Sequence, residues 1–195
     1  MFSIGNLAPS IVQPLRYFFS KYTGSSNLFW DEDEKKRTLD IAEAFDFNRT
    51  ALGEKPRIMI TRGGFSVNKT GISDNLAEGK APNLTGGKRD NTNFIMFQGT
   101  AIMIIEARTK GTCELLADMA TSFLIMTRPI LCDDLGWKEF AMPMMVGDCN
   151  LMSDEDAGVS KFQVQVQIPW VVEEAWRVRN DGPELKKIIQ SAYVV

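Results

Sequence analysis

Between Lys161 and Trp170 the chain reads KFQVQVQIPW, with Phe162, Val164, Val166 and Ile168 on one side of an extended backbone and Lys161, Gln163, Gln165 and Gln167 on the other. A period of two is the pattern of a strand with one buried face. The same reading gives strands at residues 57–67 and 94–107, which are expected to pair antiparallel, and a short strand at 137–145 broken by Pro143. Gly63-Gly64 inside RIMITRGGFSV points to a bulge or sharp bend. RTLDIAEAFDF, residues 37–47, alternates with one flaw: Glu43 shares a side with Leu39, Ile41, Phe45 and Phe47. It reads as a strand, although two alanines and Glu43 also fit a helix. The strand from Lys161 is expected to run on towards Val178, with Pro169 marking an edge or bulge.

Helical spacing predicts a first helix over residues 9–22, with Ser10 as cap, Pro14 in the first turn, and Ile11, Leu15, Phe18, Phe19 and Tyr22 as its apolar stripe. A second is predicted over residues 112–128, capped by Thr112, with Leu116, Met119, Ala120, Phe123 and Met126 inward and Pro129 ending it. Pro183 opens a short C-terminal helix. Strand hairpins with segregated helices make an α+β domain built mostly on an antiparallel sheet. Residues 1–195 are expected to be one such domain, with a projecting loop at 68–93 and a short C-terminal extension from about residue 171. The loop is rich in Gly, Asn, Lys and Thr, and compact domains rarely carry so long a loop unless it is used or disordered.

Composition narrows the function. There is no histidine, which removes Ser-His-Asp and Cys-His catalysis and histidine metal sites, so no enzyme activity is expected. Three cysteines, Cys113, Cys132 and Cys149, form no framework and fit reduced thiols. No stretch has the length and apolarity of a membrane helix, and MFSIGNLAPS lacks the features of a signal peptide. Asn48, Asn68 and Asn83 begin glycosylation sequons, read as accidental without a secretory route. Residues 48–110 hold 10 basic and 5 acidic side chains, whereas residues 111–195 hold 7 basic and 13 acidic. That asymmetry favours head-to-tail contact between identical subunits, unless folding mixes the two blocks in space.

Motifs for cofactors fail on inspection. GISDNLAEGKA, from Gly71, has the wrong glycine spacing for a phosphate loop and Ala81 where Ser or Thr is required. In DCNLMSDEDAG, Met152 and Ser153 stand where a calcium loop needs an oxygen ligand and a glycine. No cofactor and no metal are expected. Lys69, Lys80, Lys88 and Arg89 make the long loop basic, but no aromatic residue is interleaved with them, so an acidic protein surface fits at least as well as nucleic acid. Met142, Met144 and Met145 read as adaptable core or interface packing. Gln163, Gln165 and Gln167 remain. Neutral amides desolvate more cheaply than charges and still hydrogen bond, so they suit a face covered by another chain; an ordinary wet face is the alternative.

In order and texture, a helix at 9–22, strands at 57–107 around the 68–93 loop, a helix at 112–128 and strands at 137–170, the chain resembles the neck proteins of tailed bacteriophages, most closely the tail-terminator family. The resemblance implies a structural virion protein at the head–tail junction. Its subunits would form a homo-oligomeric ring, hexameric in that family, that terminates the tail tube and joins it to the head connector or stopper protein. DNA would only pass through the lumen, no membrane would be involved, and assembly would occur in the host cytoplasm. A head-completion (stopper) protein of the same neck and a small binding module outside phages are the alternatives. The candidate interface residues are Gln163, Gln165, Gln167, Lys69, Lys80, Lys88 and Arg89.

Overall fold

The computed structural model describes residues 6–24, 27–44, 55–68, 91–134, 137–154 and 159–178. The elements run α1 (Leu7–Lys21), β1 (Asp40–Glu43), β2 (Arg57–Asn68), β3 (Asn91–Ala107), α2 (Lys110–Met126), a π-helical turn (Ile130–Asp134), β4 (Trp137–Phe140), β5 (Met144–Asp154) and β6 (Val159–Val178). The class is α+β: six strands form one mixed, mostly antiparallel sheet in the order β1-β2-β3-β6, with β4 and β5 both against the far edge of β6. Only β1 and β2 are parallel, Asp40 opposite Arg57 and Glu43 opposite Ile60. The sheet is mostly antiparallel, as expected, and the β1–β2 pair is its parallel exception.

One face of the sheet is the core. Ile41, Ile58, Ile60, Met103, Ile105, Val166 and Ile168 are fully buried there, as their alternation requires. α1 packs on β1 and β2, and α2 on β3 and β6. Phe18 of α1 stacks on Phe123 of α2 at 4.4 Å, which closes the helical layer. Phe162, Val164, Val166 and Ile168 all face this core, Phe162 at its half-buried margin.

Both helices begin earlier than their predicted caps. α1 starts at Leu7, so Pro14 lies in its interior rather than in its first turn, and Ser10 donates to the Leu7 carbonyl at 2.7 Å instead of capping. α2 is capped by Thr109, whose hydroxyl accepts from the Thr112 backbone N–H at 3.2 Å; either threonine suits a cap, and the chain leaves β3 early enough to use the first. Its buried stripe is Cys113, Leu116, Ala117, Ala120 and Leu124, while Met126 is 69% exposed.

The register shifts between Arg62 and Phe65, where the sequence places its two glycines. A Cβ on Gly63 would lie 2.6 Å from the Thr100 carbonyl oxygen, so close backbone approach requires glycine there. β5 extends to Asp154, well beyond the end of the strand expected at 137–145. β6 runs to Val178, as its sequence suggests, and pairs with β3 along Phe162–Val178, so residues 171–178 belong to the sheet. The basic part of the long loop, the end of the 37–47 alternation and the residues of the expected C-terminal helix lie outside the described residues.

Candidate functional site

The outward face of the sheet is built in rows by the strand register. At one end Arg57, Glu106, Gln163 and Asn150 stand side by side; next come Met59, Ile104, Gln165 and Val146; then Thr61, Ile102, Gln167 and Met144. The three glutamines therefore form one column, as alternation predicts, between a column of isoleucines and the β5 strand.

The first row is an ionic cluster. Glu106 Oε2 lies 3.7 Å from Arg57 Nε and 3.9 Å from Lys161 Nζ, and Gln163 Nε2 donates to Glu106 Oε1 at 3.1 Å. Side-chain exposure is only 3% for Arg57, 16% for Glu106 and 14% for Lys161. Gln163 is thus committed to holding a shielded carboxylate and is not a free recognition group. Sequence reasoning missed this cluster because Arg57, Glu106 and Lys161 are far apart in the chain; only the pairing of three strands brings them together.

The other two rows differ. Gln165 is exposed, Gln167 is half-buried, and their neighbours Ile102, Ile104 and Met59 are half-buried and apolar. On the β5 side Met144 and Val146 are exposed by 56% and 45%. These rows carry no charge, so covering them with another surface strips no ion of its water. Of the core and interface readings open for the methionines, the core one falls away: Met142, Met144 and Met145 all lie outside the core. Lys69, Lys80, Lys88 and Arg89 fall outside the described residues, so their relation to the glutamines is not part of this geometry.

A cleft of about 570 Å³ opens where β2 bulges away from β3, between Phe65, Gln98 and Gly99 on one side and Glu139, Pro169 and Trp170 on the other. Glu139 is the one ionisable side chain among its lining residues. Elsewhere, among the described residues, no cluster of three or more Cys, Asp or Glu side chains is placed to hold a metal ion. The Cys113 thiol is pushed up to about 12 by burial first, and then by its contact with Cys149. It also donates to the Ile105 carbonyl at 3.4 Å, which makes it a packed thiol and not a nucleophile at neutral pH. No protein-family model matches the chain, and no significant match was found among curated proteins.

Proposed function

We propose that this protein is a non-enzymatic structural component of a tailed-phage neck, a terminator-type subunit that forms a ring at the end of the tail tube and meets the head connector. The observation that carries the reading is the uncharged half of the outward sheet face, where Gln165 and Gln167 stand between half-buried isoleucines and exposed Met144 and Val146. Such a face is cheap to desolvate, and the amides supply directional hydrogen bonds once covered. The order of elements supports the same reading through the resemblance described above.

The test pairs assembly with folding. Purified protein mixed with tail tubes is examined by electron microscopy and light scattering, with thermal melting alongside. Rings at tube ends are expected for the native chain. Gln165→Glu and Gln167→Glu are expected to weaken association while shifting the melting temperature little, since surface substitutions usually change stability by no more than about 0.5 kcal/mol. A chain that never binds a tube end overturns the role, and normal assembly in both variants means that the glutamine face is merely wet.

A further inference from the structure

Among the described residues, the sheet leaves strand edges without a partner at both ends, and two of them are unlike. Among the described residues, β5 pairs only with β6, so its far side presents unpaired backbone N–H and C=O groups. Among the described residues, β1 covers β2 from Arg57 to Ile60, and residues 61–67 pair with β3 alone. Edges of this kind template further strands unless charge, proline, bulges or brevity blunt them.

β5 is poorly blunted. Met144, Met145, Val146, Leu151 and Met152 are each between 45% and 57% exposed, on both faces of one edge strand. Two devices protect it in part, the bulge at Gly147, where φ is +77°, and the exposed charge of Asp148 beside it. The β2 edge is apolar as well, with Phe65 at 48% and Val67 at 44% exposure. The edges differ in sign. From Glu139 to Ser160 the acidic residues Glu139, Asp148, Asp154, Glu155 and Asp156 meet no Lys or Arg in the sequence. From Lys55 to Ser73 the chain holds Lys55, Arg57, Arg62 and Lys69 and no acidic residue.

We propose that copies of this chain join head to tail by strand addition, the β5 edge of one copy completing the β2 edge of the next at residues 61–67. Choosing an identical copy as the occupant rests on the assembly role proposed above; the pairing itself follows from the two edges. Charge selects this pairing over the alternatives. β5 against β5 would set Asp148 near its own copy, and β5 against β1 would set it near Glu43 and near Asp40, whose charge Arg37 already holds at 3.3 Å, whereas the β2 edge offers Arg62. Backbone hydrogen bonds would supply register, and Phe65 and Val67 would bury the exposed methionines. Because each copy offers one edge of each kind, the contact repeats, and it closes into a ring if the rotation allows.

A mixing experiment reads this directly. Variant one, Met144→Lys/Val146→Lys, spoils the β5 edge; variant two, Arg62→Glu/Val67→Glu, spoils the β2 edge. All four positions are exposed, and native-like melting of each variant confirms folding. By light scattering over a concentration series, the native full-length chain is expected to self-associate and each variant alone to do so about tenfold or more weakly. Mixed, the two variants are expected to regain association, since each retains the edge that the other has lost. A native chain that stays monomeric, a second variant that still dimerises, or a mixture that stays monomeric each overturns the proposal. Tube-end binding is not part of this readout, so edge pairing and the neck role stand or fall separately.

Discussion

Gly99 sits in the middle of β3, where a glycine ordinarily weakens a strand. Here it faces Phe65 on one neighbouring strand and Trp170 on the other. A Cβ at this position would come within 2.7 Å of Phe65 Cβ, 2.8 Å of the Gly64 carbonyl oxygen and 2.8 Å of Trp170 Cζ2. The tryptophan could turn away at some cost in packing, but the backbone oxygen cannot move without disturbing the bulge. Gly99→Ala is therefore expected to destabilise by about 1–3 kcal/mol, the usual cost of overpacking. Gly64→Ala, whose Cβ would meet nothing within 4 Å, is the matched control and should change chemical-denaturation midpoints little. Equal midpoints for the two variants would remove the packing account. None of this was legible in the sequence, where Gly99 interrupts an apolar run without stating its cause. Gly63-Gly64 announced itself because paired glycines in a strand already imply a bulge.

At the scale of elements, β6 shows how a proline survives in an interior strand. Pairing with β3 runs unbroken through Thr100 opposite Pro169. On the opposite edge the partner changes, β5 ending its pairing at Gln167 and β4 beginning at Trp170. The Pro169 carbonyl accepts from the Ala141 N–H at 3.1 Å, so its ring nitrogen faces the same side, towards Ala141 and away from β3. The β3 ladder therefore loses no bond, and the missing N–H falls where the partner changes from β5 to β4. Moving the defect to Gln165, opposite Val146, should remove a bond that β5 does use. Gln165→Pro is expected to cost about 1–3 kcal/mol and to release β5 in hydrogen exchange, whereas Pro169→Ala should leave exchange in β5 unchanged. Comparable β5 protection in both variants would contradict this contrast between the two positions. Alternation made β6 legible, since a one-residue slip would expose its whole buried set. The helix starts were less so: Thr109 and Thr112 are equivalent as letters, and only the end of β3 decides between them.

Among the described residues, a helical layer covers one face of the sheet and leaves an outward face with the Arg57–Glu106–Lys161 cluster towards one end and Glu139 towards the other. The class and the buried strand face could be read from periodicity, which is a local signal. The parallel β1–β2 pairing, the Glu106 cluster and the exposed β5 edge could not, because each depends on which strands become neighbours. The charge asymmetry of the sequence does persist in part: Arg62 on the β2 edge and Asp148 on the β5 edge are both exposed. Exposed charges interact through water and are screened within about 8 Å at physiological ionic strength. If unlike edges steer copies together, raising NaCl from about 0.05 to 0.5 M should slow association several-fold, because steering acts chiefly on the encounter rate. Dissociation should change less, since the buried methionines and the backbone bonds that hold the pair are not screened. Stopped-flow mixing of the two edge-blocked variants measures both rates at once. A salt-independent association rate would mean that apolar surface alone brings the copies together, and that the opposite charges of the two edges play no part in choosing the partner.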